Sequence, residues 1–87
     1  MKSEIVRLID MHTDNWVKAA FFSDEIVSKI MNELYERWSR SEGKGMPIDY
    51  ASESELRVLY EKALEYAAMP TEKAMMTVLN RMNVNER

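Results

Sequence analysis

Residues 23–38, Ser-Asp-Glu-Ile-Val-Ser-Lys-Ile-Met-Asn-Glu-Leu-Tyr-Glu-Arg-Trp, constrain the fold most. At about 100° per residue, Ile26, Val27, Ile30, Met31, Leu34, Tyr35 and Trp38 fill one continuous arc of about 180°. Ser28, Lys29, Asn32, Glu33 and Glu36 occupy the opposite side. A helix resting on one neighbour needs an apolar stripe of only about 100°. The wider arc predicts a helix wedged between two neighbours, the central element of a bundle. On its polar side Glu25, Lys29, Glu33 and Arg37 alternate in sign at i,i+4 spacing, each step worth about 0.3 kcal/mol.

The flanking sequence supplies the ends of that helix, expected near 24–41. Ser23 is placed to cap it, Asp24 and Glu25 complement the positive end of its dipole, and Phe22 is placed to staple onto Val27. Gly43 offers a left-handed stop, and Arg37, Arg40 and Lys44 suit the negative end. Upstream, Ile5, Leu8 and Ile9 set an apolar phase that continues into Trp16, Val17 and Ala20 without a slip, which predicts one helix over 4–20. His-Thr-Asp-Asn at 12–15 has poor helix propensity within it.

Residues 43–51 hold both glycines and one of the two prolines and form the main loop. Ser52 and Glu55 make a capping box that opens a helix over 53–69, with Leu56, Leu59, Tyr60, Ala63, Leu64, Tyr66 and Ala67 on its apolar face. The small pair Ala63 and Ala67 leaves room for another helix to approach. Pro70 stops this helix, and Thr71 caps a last one over 72–83 that buries Ala74, Met75, Val78, Leu79 and Met82. Residues 84–87 should fray. No stretch alternates with the period of a strand. The expected fold is all-α, a single small four-helix bundle-like domain spanning residues 1–87.

Composition limits the function classes. With no cysteine, the chain has no disulfide, thiolate metal site or cysteine nucleophile. Charges at Glu4, Arg7 and Asp10 interrupt the N-terminal apolar residues, so neither a signal peptide nor a membrane span is expected, and the cytoplasm is the expected compartment. A net charge of −3 gives no global attraction for nucleic acid or anionic lipid.

Three groups invite chemical readings. Asp10, His12 and Asp14 cluster on the page, but residues two apart on a helix point about 200° apart, so His12 is read as a half-buried histidine. Gly43-Lys44-Gly45 lacks the spacing of a phosphate-binding loop and follows no strand. Glu33-x-x-Glu36 resembles half of the carboxylate set on the magnesium-binding helices of MazG-type nucleotide pyrophosphohydrolases. That resemblance implies a metal-dependent nucleotide hydrolase. The family's second half, Glu-x-x-Asp, is missing here, because Glu61 and Glu65 are four apart. Solvated faces with Lys29, Arg37 and Lys62 nearby are the preferred reading, so no metal, no cofactor and no enzymatic activity are expected.

Apolar residues are in surplus. Phe21, Phe22, Met11, Val58, Met69 and Met76 fall outside the assigned faces, and four of the eight methionines cluster at 69–82. Methionine adapts to irregular partners and is enriched at binding surfaces. The chain therefore reads as a small helical interaction protein, self-associating, acting as a regulator, adaptor or inhibitor in a bacterial or phage setting. Its partner-binding residues would be Phe21, Phe22, Tyr50, Met75 and Met76, with Arg37 and Arg40 at the rim. The alternative is a nucleic-acid binder using Lys73, Thr77, Asn80 and Arg81, side chains suited to reading base edges. A protein that sequesters a small ligand between its helices is a further reading.

Overall fold

The computed structural model describes residues 2–10 and 14–85, the last two by backbone alone. Among them are five α-helices, one 3-10 turn and no strand: α1 Lys2–Asp10, α2 Asn15–Ser23, α3 Glu25–Arg40, the 3-10 turn Pro47–Tyr50, α4 Glu53–Ala67 and α5 Thr71–Asn85. The fold is all-α, as expected. The last helix runs two residues further than anticipated, to Asn85. None of the described helices is long and apolar enough to cross a membrane.

The single first helix expected over 4–20 is two helices. Asp14 takes extended backbone geometry (φ −84°, ψ 109°) and its side chain accepts the Trp16 N–H at 2.9 Å, which starts α2. An aspartate offers this bond to an N-cap and gains nothing comparable in a helix interior. Continuity of the apolar phase misled the sequence reading, because α1 and α2 both keep an apolar face while pointing at different partners. Met11 and His12 lie outside the described residues.

The cap of α3 also moves. Asp24, not Ser23, is its N-cap and accepts from the N–H groups of Ile26 (2.9 Å) and Val27 (3.1 Å). Ser23 instead closes α2, so the expected staple from Phe22 to Val27 is out of register. At the far end, Gly43 N–H bonds to the Trp38 carbonyl (3.0 Å) and Glu42 N–H to the Ser39 carbonyl (3.2 Å), a Schellman arrangement. The left-handed residue in it is Glu42 (φ 65°), with Gly43 following at φ 73°.

The core joins Ile5 and Ile9 of α1, Val17, Ala20 and Phe21 of α2, Val27 and Leu34 of α3, Leu59, Ala63 and Tyr66 of α4, and Ala74 and Val78 of α5. The main packing pairs are not chain neighbours. Helix α2 lies along α5, α1 lies along α4, and α2 also crosses α4. The bundle is therefore organised around α2 and α4, and the expectation that α3 is central is corrected. Helix α3 leans chiefly on the 3-10 turn and touches α2 and α4 more lightly. Its wide arc is only partly covered. Val27 and Leu34 are fully buried, whereas Ile26 and Tyr35 are 49% and 54% exposed.

Helix α5 departs further from expectation. Ala74 and Val78 are buried, but Met75 is half-buried and Leu79 and Met82 are exposed. On α4, Leu64 is exposed as well.

Polar clamps hold the 41–55 segment against α3. Arg37 grips Glu55 through two bonds, Nη1 to Oε1 at 2.6 Å and Nη2 to Oε2 at 3.1 Å, and donates to the Tyr50 carbonyl at 3.0 Å. Glu55 also closes the predicted capping box by accepting the Ser52 N–H at 2.8 Å. Trp38 Nε1 donates to the Gly45 carbonyl at 2.9 Å. Gly45 is at φ 73°, where a larger residue is strained, and a Cβ there would stand 2.8 Å from Asp49 Oδ2, which would have to give way.

The Arg37 guanidinium, with the Ser52 N–H, draws the Glu55 carboxyl down from 4.5 to about 2. A carboxyl depressed on folding contributes stability that is complete above its unfolded value and is lost as pH falls through its folded value. Melting curves of the wild-type chain and of Glu55→Gln should therefore differ most at neutral pH and converge as pH falls from about 4.5 to about 2. Equal melting temperatures at pH 7 would contradict the clamp.

Candidate functional site

Two features could carry function: an apolar cleft on one side of the molecule and a polar cluster joining α2, α3, α4 and α5. The cleft, about 210 Å³, lies between α1 and α3. It exists because α1 packs on α4 and α3 packs on the 3-10 turn, which leaves their facing apolar flanks apart. Phe21 (2% exposed) and Leu59 (1%) form its floor. Ile5, Val6 and Ile9 of α1 form one wall and Met31 and Tyr35 of α3 the other. Met46, Pro47 and Ile48 complete the lining, and Phe22, Tyr35 and Met46, each at least half exposed, stand at the rim. Asp10 is the only charged lining residue among the described residues. The Lys2 ammonium and the Asp49 carboxylate form an ion pair that ties α1 to the 3-10 turn.

The polar cluster lies behind the cleft floor. Asp24 is 6% exposed and carries four bonds. One oxygen caps α3, and the other accepts from the Tyr66 hydroxyl at 2.6 Å and from Lys62 Nζ at 3.3 Å. Arg81 reaches the same place from α5. Its Nη2 donates to the Tyr66 hydroxyl (2.7 Å), and its Nη1 donates to the Ala20 carbonyl and to Ser23 Oγ (2.7 Å each). The guanidinium also stands 5.8 Å from the centre of the Tyr66 ring. Tyr66 in turn packs edge-on against Phe21 at 6.2 Å. Burial works against the Asp24 carboxylate, but the Tyr66 hydroxyl, the Val27 N–H and Lys62 outweigh it and hold the carboxyl below its usual range. Burial and the Asp24 bond push the Tyr66 phenol up. Among the described residues no buried side-chain polar atom lacks a partner. A closed network of this kind fixes geometry.

The residues singled out from sequence scatter across these features. Phe21 is in the core and Phe22 is at the cleft rim. Arg37 is engaged with Glu55, and Tyr50 donates its hydroxyl to the Lys44 carbonyl (2.6 Å) while accepting from Ser41 (2.6 Å). Arg40 is exposed, 3.5 Å from Glu36. Met75 and Met76 sit on α5, outside the cleft lining. Of the nucleic-acid set, Lys73 and Asn80 face solvent and Thr77 is half-buried, its hydroxyl bonded back to the Lys73 carbonyl at 2.8 Å. Arg81 is drawn inward. The two carboxylates of the MazG resemblance stand beside bases, Glu33 3.5 Å from Arg37 and Glu36 3.5 Å from Arg40, and Glu65, of the pair with the wrong spacing, is 3.7 Å from Lys62. Among the described residues no group of three or more His, Asp or Glu side chains could hold a metal ion.

The cleft is hidden in the sequence, because Ile5, Ile9, Met31 and Leu59 are indistinguishable there from core residues. The over-wide arc of α3 was its one trace. Two residue choices signalled the polar cluster: a tyrosine on the buried face of α4, whose hydroxyl needs a partner, and an arginine as the only charge between Ala74 and Asn85 of α5. Compared with protein-family models, characterised proteins and solved structures, the chain matches none.

Proposed function

We propose that this chain is a protein-interaction module, a regulator, adaptor or inhibitor that works by binding rather than by catalysis. Its cleft between α1 and α3 seats the apolar anchors of a helical segment from another protein. The observation that carries this reading is the cleft's size and chemistry taken together. At about 210 Å³ it is smaller than the roughly 300–1,000 Å³ of ordinary small-molecule sites, and it suits one or two inserted side chains. Among the described residues only Asp10 brings charge to its lining, so a partner with a Lys or Arg beside its anchor is favoured. Exposed aromatic and methionine side chains at the rim are the residue types that carry binding energy at interfaces. The reading retains Phe22 from the sequence-derived set and adds Tyr35 and Met46. It places the module in the cytoplasm of a bacterial or phage-infected cell. The chain also associates with itself, through a separate surface.

Affinity capture from bacterial lysate tests this. The wild-type chain should retain one protein at near-stoichiometric yield with or without nuclease. Tyr35→Glu, a change at a rim position 54% exposed, should lose that protein while keeping the wild-type helical spectrum. Lys73→Glu on α5 should keep it. Retention unaffected by Tyr35→Glu, or recovery that collapses with nuclease, would remove the cleft from consideration, and the second outcome would point to nucleic acid.

A further inference from the structure

The cleft between α1 and α3 carries charge at its mouth and none at its floor. Among the described residues its one ionised lining side chain is Asp10, which is exposed, whereas the floor is Phe21 and Leu59. Asp10 is the last residue of α1, at the negative end of the helix dipole, where an acidic side chain is electrostatically misplaced. It forms no hydrogen bond or ion pair with any described residue. Arg7, one turn earlier, lies outside the lining, and the Lys2 charge is taken up by Asp49. The mouth of an apolar cleft thus carries a negative potential, built from a carboxylate and a helix end, that the described residues leave without a counter-charge.

We infer that the anchor this cleft takes is the first residue of the partner chain, its apolar side chain resting on Phe21 and Leu59 and its free α-ammonium on Asp10. The inference rests on the cleft reading above and narrows the occupant to a chain N-terminus. Three observations select it. The first is size. An apolar cavity of about 150 Å³ accepts a benzene ring, so a cleft of about 210 Å³ admits one aromatic or long aliphatic side chain. The rings of Phe21 and Phe22, 5.0 Å apart and at 78° to one another, offer an entering ring both edge and face.

The second is where the charge sits. A lysine inserted stem first would carry its ammonium down to Phe21 and Leu59, where no acceptor meets it. A cation at the base of the inserted side chain arrives instead at the rim, beside Asp10. The α-ammonium of a first residue is such a cation, bonded to the same Cα as the anchor. A lysine next to the anchor reaches Asp10 too, but ordering its four-carbon stem for an exposed pair costs about what the pair returns. The α-ammonium is already held by the anchor. The third is the dipole. A helical segment that begins at the cleft brings its positive end to the negative end of α1, which sets the direction of entry.

Titration of the isotope-labelled full chain with short peptides, followed by amide chemical shifts, tests this. The amide Phe-Ala-Ala-Ser with a free N-terminus should shift Ile9, Phe22 and Tyr35. Its N-acetylated form should bind about fivefold more weakly, the most that one exposed ion pair sustains. Acetylated Phe-Lys-Ala-Ser should bind like the other acetylated peptide. Asp10→Asn, a change at an exposed position, should make free and acetylated peptides equal. Equal binding of the two in the wild-type chain, or a preference that survives Asp10→Asn, would overturn the inference. So would full affinity for acetylated Phe-Lys-Ala-Ser, which would assign the cation to a neighbouring lysine, or tighter binding of 2-phenylethylammonium, which would assign the site to a free amine. No shift from any peptide at about 10 mM would overturn it as well. The cleft reading itself is judged separately, by whether Tyr35→Glu loses the captured protein.

Discussion

Replacing Asp24 by alanine should lower the melting temperature by about 12–24 °C, the largest single effect expected in this molecule. Three losses add up. The first turn of α3 loses its cap, typically about 1 kcal/mol. Lys62 and the Tyr66 hydroxyl lose their common acceptor in a site where Asp24 is 6% exposed. Breaking a buried ion pair by removing one partner costs about 3–5 kcal/mol when both ions are enclosed. Lys62 keeps a quarter of its side chain in water and has Glu65 nearby, so a total of about 3 kcal/mol is the reasonable expectation. At about 4–8 °C per kcal/mol for a domain of this size, that gives the stated range.

Asp24→Asn separates the two parts of the loss. Asparagine caps a helix as well as aspartate does, so the variant should recover the cap and forfeit only the charge. Its melting temperature should fall between those of the wild-type chain and the alanine variant. Equal losses for Asn and Ala would mean that the charge alone matters, and no loss for either would contradict the network.

Arg81→Ala should cost about 2 kcal/mol, or about 8–16 °C, because it strips donors from the Ala20 carbonyl, Ser23 Oγ and the Tyr66 hydroxyl together. Arg81→Lys should recover little. One ammonium cannot span the two ends of the guanidinium fork, one on Tyr66 and the other on the end of α2. The measurement also bears on the nucleic-acid reading. An arginine held for groove recognition costs no stability when removed, whereas one that joins α5 to α2 and α4 does. A melting temperature within about 1 °C of wild type after Arg81→Ala would restore that residue to the surface. The double variant Asp24→Ala with Arg81→Ala should lose less than the sum of the two singles, because both act through the Tyr66 hydroxyl.

The class of the fold was legible in the sequence because helical periodicity is a local property. The capping box at Ser52 and Glu55, the stop at Pro70 and the glycine turn after α3 all appear where residue chemistry demands them. What was not legible depends on partners distant in sequence. Asp14 and Asp24 read as first-turn or solvated acids until the structure shows the bonds each makes. Phe21 lay off the expected face only because that face was drawn for a single helix over 4–20. Once α2 starts at Asn15, Phe21 shares its buried side with Val17 and Ala20. The cleft was illegible for a different reason. Periodicity identifies which side of a helix is apolar and not whether a neighbour covers it, so α3 read as central when one flank of it lines open space. Leu79 and Met82 failed in the same way on α5.

The pairing of α1 with α4 and of α2 with α5 has a kinetic consequence. In an up-and-down bundle each helix docks on the one just made, and local contacts make assembly fast. Here α2 meets its main partner only after some fifty further residues, and the Arg81 bonds close loops of 58 and 61 residues. Loop closure of that length is entropically slow and brings no reward until it is complete. A chain emerging from the ribosome thus holds Val17, Ala20 and Phe21 without their main cover until α5 has been made, so α5 is the lock that ends the exposure.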